Sequence, residues 1–344
     1  MRGRTSNSLK RCIEKMISII IPTLNEEKYL PHLLKSIKEQ DFFSNPEKLE
    51  IIVADAGSED KTVEIAKSFG CQITKGGLPA KGKNEGAKIA RGDLFLFLDS
   101  DVILDKNYLK KALKEFRERK LSVASGVLKS ITRAQAKSKE LKFFLTRSNE
   151  LMGEDETLVS STTRAQAKGG DEDLSSSTTQ EKVINFIYHY TYNLPIFLLE
   201  NILPHAANFI LIKKELHQKI GGFDEEIKLA EDQCYVREAA KIGKFGILRE
   251  TTVFLSPRRF EKEGWLKVVF KLLLAELHLI FLGPIKSDIF CYRFSSHSSE
   301  KSNKKGPKIL ELFLGVPVLI IWVLFVFFAL LIGGLKNIIK KCKI

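Results

Sequence analysis

Along residues 16 to 127, apolar runs short enough for strands alternate with stretches of helical spacing. Ile17 to Ile21 reads as a buried strand. From Glu27 to Gln40, Leu30, Leu33, Leu34 and Ile37 recur at the spacing of one helix face. Glu50 to Ala54 is the next strand. Asp60 is placed to cap a helix that carries Val63, Ile65, Ala66 and Phe69 and stops at Gly70. Cys71 to Thr74 is a short strand, Lys83 to Arg91 a helix, Leu94 to Leu98 a strand and Asn107 to Arg119 a helix. Later in the chain Phe209 to Ile212 reads as a strand, and Lys214 to Ile220 and Glu231 to Ile242 as helices. Gly246 to Leu248 and Val253 to Leu255 read as two short strands. Strands with few polar breaks, each followed by a helix, imply an α/β fold with a mostly parallel sheet covered on both faces.

Elsewhere the pattern changes. Residues 129–181 are polar and rich in Ser and Thr, and they hold the hexapeptide TRAQAK twice, at Thr132–Lys137 and Thr163–Lys168. Too few apolar residues occur there to build a core, so a disordered surface insertion is expected. Two copies do not make a solenoid. From Leu312 to Leu335 no residue is charged, and at about 1.5 Å per residue such a run crosses a bilayer core of roughly 30 Å. The expected organisation is a basic tail at 1–15, a main domain at 16–262 and an interfacial or amphipathic segment with a basic linker at 263–308. A transmembrane helix at 309–335 and a basic tail at 336–344 follow. Within the linker region, Trp265 to Ile285 is apolar yet carries Lys267, Lys271 and His278 on one stripe with Glu276 opposite, which suits either a helix lying on anionic lipid or a core helix with a basic solvated edge. The short apolar run after the N-terminus stops at Pro22, which does not suit a signal peptide. A single-pass C-terminal anchor with the large domain in the cytoplasm is therefore expected.

Charge narrows the partners. The chain of 344 residues carries a formal net charge of +13, which favours anionic partners: nucleic acid, lipid headgroups or phosphorylated ligands. Its 5 cysteines are scattered and odd in number, which argues against a disulfide framework or a zinc site.

The candidate chemistry collects at strand ends. Leu94–Leu98 runs straight into Asp99-Ser100-Asp101. In an extended segment alternate side chains face the same way, so two carboxylates would share one space beyond the strand. They would repel one another unless a cation joined them, and a hard divalent ion on a phosphorylated ligand meets that need. Asp55 follows another apolar strand, and Asn25, Glu26 and Glu27 follow the first. In open α/β sheets this edge binds ligands. Lys81, Lys83 and Asn84 lie just upstream of the acids and suit phosphate or base. Together these residues suit a nucleoside diphosphate.

The segments SIIIPTLNEEKYL, VADAGSEDKT, KGKNEGAKIARGDLFLFLDSD and GGFDE with EDQCYVREAAKIG resemble the family 2 glycosyltransferases of GT-A fold, over residues 16–127 and 204–262. The resemblance implies a Rossmann-like sheet and an inverting transfer from a nucleoside-diphosphate sugar, assisted by Mg²⁺ or Mn²⁺. It also implies that Pro22, Thr23, Asn25 and Glu27 line the nucleoside pocket and that Asp55 holds the base. Lys83 would lie near base or phosphate, Asp99 would face ribose and metal, and Asp101 would bind the metal. Glu231-Asp232 matches the family's acidic pair, with Asp232 as general base, and Arg258 and Arg259 would clamp the diphosphate. His205 and Asn208 fall where an acceptor is expected. The processive Q-x-x-R-W motif is absent, which favours single additions. The expected partners are a nucleoside-diphosphate sugar, a lipid-linked or cell-surface glycan acceptor and membrane lipids, with no nucleic acid. Two alternatives stand beside this one. A sugar-nucleotide nucleotidyltransferase would open on a Gly-rich loop where PTLNEE stands. A silent membrane-tethered binding protein would not need the acids at 99, 101 and 232.

Overall fold

The computed structural model describes residues 16–40, 48–129, 193–206, 208–255 and 265–287. In chain order the strands and helices are β1 (Ile17–Thr23), α1 (Leu30–Lys38), β2 (Leu49–Asp55), α2 (Thr62–Ser68), β3 (Gln72–Lys75), α3 (Pro79–Ile89), β4 (Leu94–Leu98), β5 (Val102–Leu104) and α4 (Tyr108–Glu118). Then come β6 (Val123–Lys129), α5 (Leu194–Leu198), β7 (Phe209–Lys213), α6 (Lys214–Ile220), α7 (Glu231–Ile242), β8 (Phe245–Leu255) and α8 (Trp265–Phe281). The strands form one sheet in the order β3-β2-β1-β4-β7-β6-β8-β5.

The sheet is mixed rather than mostly parallel. β3, β2, β1 and β4 pair in parallel, as expected for strands joined by helical crossovers. Beyond β4 the expectation fails, because β7 runs antiparallel to both β4 and β6. β6 ends at the edge where β4 ends, and the chain re-enters at that same edge to start β7. No crossover is needed, so the direction reverses.

Several boundaries also differ. The first helix starts at Leu30 rather than Glu27, because Glu26 O accepts from the N–H groups of Tyr29 and Leu30 in a turn. The helix expected from Lys83 begins at Pro79, where a proline at the first turn costs nothing. Asp60 does serve the start of α2, but its Oδ1 accepts from Thr62 N at 2.9 Å and Lys61 holds the cap position. The two short strands near 250 are one, β8, whose middle is tied to α4: Glu115 Oε2 accepts from Arg249 N and Glu250 N. β5 and β6 were not expected. The helix thought to reach Ile285 stops at Phe281, where Leu282 N and Gly283 N both donate to His278 O.

β1 is buried along its whole length, which is why it reads as nearly all apolar. Helix α3 lies against it at very short range. A Cβ on Gly86 would sit 2.4 Å from Ile20 Cγ2, and one on Gly82 3.0 Å from Pro22 Cβ. Glycines one helical turn apart therefore remove the side chains that would hold the helix off the sheet. On another helix, Leu30, Leu33, Leu34 and Ile37 are all fully buried.

The described residues divide between two compact units. One takes those of Met1–Val127, Leu203–Val253 and Pro284–His297; the other takes those of Leu128–Ile202 and Phe254–Gly283, including α5 and α8. Among the described residues no helix is long and apolar enough to cross a membrane. The expected span at Leu312–Leu335, both tails, the insertion beyond Lys129 and the pair Arg258-Arg259 lie outside the described residues.

Candidate active site

Because β1, β2 and β4 are parallel and in register, with Thr23 beside Asp55, their carboxyl ends deliver Asn25, Glu27, Asp55, Asp99 and Asp101 to one edge. Two of the loops there are tied together. Asp55 Oδ1 accepts from Thr23 Oγ1 at 3.0 Å and Ser58 Oγ at 2.6 Å, and Oδ2 accepts from Gly57 N at 3.0 Å and Ser58 N at 2.8 Å. A carboxylate offers about four acceptor sites, so all are used within the protein, and Asp55 shapes the loop that surrounds it. Asn25 N donates to Ser58 Oγ at 2.8 Å and its Oδ1 accepts from Glu59 N at 2.8 Å. Glu27 N donates to Asp60 Oδ2 at 3.1 Å, while Glu27 Oε2 accepts from Lys61 N at 3.3 Å. Pro22 and Thr23 are buried behind them. Beside this loop a cleft of about 340 Å³ is lined by Asp55, Gly57, Val63, Ile73, Thr74 and Lys75.

The second half of the site is an ion cluster around Lys83. The close approach of α3 to β1 buries this lysine to 1% exposure. Its Nζ lies 2.5 Å from Asp232 Oδ1, 3.2 Å from Glu231 Oε1 and 3.7 Å from Asp99 Oδ1. Thus the acid pair that opens α7 and the first acid after β4 meet on one ammonium, although they are far apart in sequence. Burial works against the charge of Lys83, but Asp232, Glu231 and Asp99 together hold its pKa well above the lysine range. Asp232 is pushed up to about 7, chiefly by burial; Lys83 opposes the shift, and Glu231 and Asp99 reinforce it. Among the described residues, three carboxylates meet on this one ammonium.

The support behind Lys83 is aromatic. Its Nζ stands 5.4 Å from the Phe223 ring centroid, and Phe223 stacks on Tyr235 at 3.7 Å and 6°. His217 Nδ1 lies 2.6 Å from Tyr235 Oη, and burial lowers its pKa to about 4, so the ring is neutral at neutral pH. Asn84 is not free for phosphate or base. Its Nδ2 donates to Phe223 O and Glu225 Oε1, and its Oδ1 accepts from Phe223 N, so it pins the Gly221–Glu225 turn to α3. Sequence reasoning missed this buttress; the available signal was a buried-type helix with glycines at 82 and 86 and an amide beside the lysine.

Backbone strain gathers here too. Asn25, Asn208 and Ala230 have φ of 55°, 61° and 63°, a region that non-glycine residues enter at a cost of order 1 kcal/mol. Ala230 immediately precedes the acid pair, and Asn208 O accepts from Asp99 N at 3.3 Å. His205 Nε2 lies 3.4 Å from Gln233 Nε2, on the same helix as Asp232.

For a metal the expectation needs one correction of geometry. Ser100 and Asp101 form a turn, not a continued strand, so strand alternation does not set the relation of Asp99 to Asp101. Among the described residues no group of three or more His, Cys, Asp or Glu side chains is arranged to hold a metal ion. Two carboxylates still suit Mg²⁺ or Mn²⁺, which bind through one or two acids and take their other oxygens from phosphate and water.

Comparison with known proteins shows what the chain is similar to. Residues 18–173 match the family described as glycosyl transferase family 2. Poly(ribitol-phosphate) beta-N-acetylglucosaminyltransferase TarS of Staphylococcus aureus is 37% identical over 103 residues, 28% of this chain and 18% of that protein. A dolichyl N-acetyl-alpha-D-glucosaminyl phosphate 3-beta-D-2,3-diacetamido-2,3-dideoxy-beta-D-glucuronosyltransferase of Methanococcus voltae is 33% identical over 130 residues, 34% of this chain and 40% of that protein. The solved structure of the mannosyltransferase PcManGT from Pyrobaculum calidifontis, in complex with GDP-Man and Mn²⁺, aligns over 98% of this chain and 94% of its own at 16% identity and a TM-score of 0.49. The chain thus spans well under half the length of these two curated relatives.

Proposed function

We propose that the chain transfers a sugar from a nucleoside-diphosphate sugar to an acceptor hydroxyl, with inversion, and that Asp232 is the general base. The observation that carries this reading is the meeting of Asp232, Glu231 and Asp99 on the buried Lys83. A sugar hydroxyl is a poor nucleophile and must lose its proton as it attacks the anomeric carbon. A carboxylate whose pKa lies at about 7 is matched to that task, because a large share of it is ionised at neutral pH and that form is basic enough to accept a proton. Proton transfer to Asp232 also removes one negative charge from a cluster of three acids.

The loop of Thr23, Asn25, Glu27 and Asp55 and its adjoining cleft are where the nucleoside would rest. Asp99 and Asp101 are the residues that would hold Mg²⁺ or Mn²⁺, which supplies positive charge to the leaving diphosphate. Lys83 is close enough to Asp99 to share that duty. Arg258 and Arg259 remain candidates for the diphosphate on the strength of the sequence alone. The curated relatives act on a poly(ribitol-phosphate) and on a dolichyl-linked sugar. With the uncharged run at Leu312–Leu335, that supports a lipid-linked or cell-surface glycan as acceptor, held at a membrane by this anchor with the catalytic unit in the cytoplasm.

The test is release of nucleotide from a panel of UDP- and GDP-sugars with Mn²⁺ and a lipid extract as acceptor. Release from at least one donor, abolished by a chelator and restored by added metal, is expected. Release from none would overturn the reading.

A further inference from the structure

The helix α8 exposes an apolar strip edged by basic groups. Phe270 is 51%, Leu274 38% and Phe281 66% exposed, and Leu282 just past the end is 75% exposed. At roughly 100° per residue, Phe270, Leu274 and Phe281 lie within about 40° of one another along the helix. Lys267, Lys271 and His278 occupy the adjoining 40° or so. Val268, Ala275 and Leu279 are buried on another side, so the helix packs by one face and presents a second apolar face outward. Its one acid, Glu276, is buried and points away from the basic edge. Leu272 is also exposed and falls outside the strip.

We propose that this face of α8 lies in the headgroup layer of an anionic membrane, with Phe270, Leu274 and Phe281 in the outer acyl region and Lys267 and Lys271 on acidic headgroups. Large aromatic and leucine side chains beside lysines are what that boundary accepts. Charge separates this occupant from the others. The uncharged run at Leu312–Leu335 could cover an apolar strip but offers nothing to the lysines, and a second copy would set lysine against lysine. The same run lies only a short stretch after α8 in sequence, so its insertion would keep the helix near the bilayer surface. The proposal deepens the reading of a membrane-held acceptor, because it gives the protein a lipid contact in addition to the anchor.

The test places a photoreactive benzoylphenylalanine at Phe270 or at Phe281 in the full chain. The protein is mixed with vesicles of phosphatidylcholine alone or with added phosphatidylglycerol, and the adducts are identified by mass. Lipid adducts that are enriched on phosphatidylglycerol vesicles are expected at both positions and not at Lys219, which is exposed on α6. Changing Lys267→Gln and Lys271→Gln should lower the phosphatidylglycerol-dependent yield roughly fivefold per lysine, the equivalent of about 1 kcal/mol each. Adducts to the 312–335 peptide, adducts to a second chain, or no lipid adduct with either vesicle would each overturn the proposal. Nucleotide release is measured on the same samples. Lipid adducts without turnover would leave this proposal standing and sink the transferase, and turnover without adducts would do the opposite.

Discussion

Two buried charge clusters sit at opposite ends of the same strands, and they are built differently. At the amino end, Glu50 Oε1 accepts from Ser18 Oγ at 2.6 Å and Arg91 N at 2.6 Å, while Oε2 accepts from Arg91 Nε at 3.0 Å and Gln72 Nε2 at 3.2 Å. Gly92 N in turn donates to Ser18 Oγ. Every partner is neutral or opposite in charge, and although burial works against it, Ser18 and Arg91 hold the Glu50 pKa below the usual range. At the carboxyl end, Lys83 faces three acids, and Asp232 is driven up to about 7. Among the described residues, one cluster matches its acid with neutral or opposite partners, while the other sets three acids around one ammonium. A balanced cluster ties loops and strands together. An unbalanced one stores a preference for a proton or a cation, which is what chemistry can use.

The largest effect that would test the contrast belongs to Asp232. Asp232→Asn should lower kcat by roughly 10²–10⁴ while leaving donor affinity near wild type, the range for removing a general base. The pH profile checks the same assignment. In the wild type, kcat/KM should rise with pH through about 7, as the acid cluster loses a proton and Asp232 becomes able to accept one. Since these acids and Lys83 interact strongly, the limb belongs to the cluster as a whole. The stability sign runs the other way. A carboxyl whose folded pKa lies above its unfolded value favours folding at low pH, and that share fades as pH rises from the ordinary carboxylate range through 7. Wild-type turnover in Asp232→Asn, or a flat profile across that window, would remove the base from this position.

How far these clusters were legible in the sequence follows from which interactions are local. The strands before Asp55 and Asp99 announce themselves through apolar runs, and the parallel half of the sheet follows from strands alternating with helices. The antiparallel half does not, because β7 is separated from β6 by a long stretch of chain and its direction is set by pairing with β4 and β6, not by a local βαβ pattern. Asp99 was visible as an acid at a strand end, and Glu231 and Asp232 through family resemblance. Their meeting on Lys83 was not, since a lysine in a helix reads as solvated unless something draws the helix down. The clue was at Gly82 and Gly86, whose spacing marks a face stripped for close packing. Asp55 illustrates the reverse: its position was evident, but its four internal donors depend on how Thr23 and Ser58 fold around it.

That close packing supplies an intermediate test. In Gly86→Ala the new methyl would lie 2.4 Å from Ile20 Cγ2, so either α3 or β1 must move. Overpacking of this kind costs about 1–3 kcal/mol. Because Lys83 rides on the same helix, kcat/KM should fall together with Tm, measured by thermal unfolding and nucleotide release on one preparation. A variant as active and as stable as the wild type would mean that the helix does not set the position of Lys83.

The smallest effect on activity is expected from the balanced cluster, and it is the control that the contrast needs. Glu50→Gln keeps the shape but turns one acceptor oxygen into a donor that faces donors. Leaving such buried groups unmatched costs about 1–3 kcal/mol. The ion pair with Arg91 contributes little of this, since the arginine side chain is 68% exposed. Because the folded pKa of Glu50 is lowered, the stability linked to its charge is present above the ordinary carboxylate range and is lost as pH falls through the folded value. Acid unfolding should therefore show a shallower loss in Glu50→Gln than in the wild type, from a lower starting Tm at neutral pH. Turnover per folded molecule should be unchanged, because this cluster lies at the end of the strands away from Asp99 and Asp232. A large loss of kcat at full folding would mean that the two ends of the sheet are coupled, and that balance alone does not separate support from chemistry.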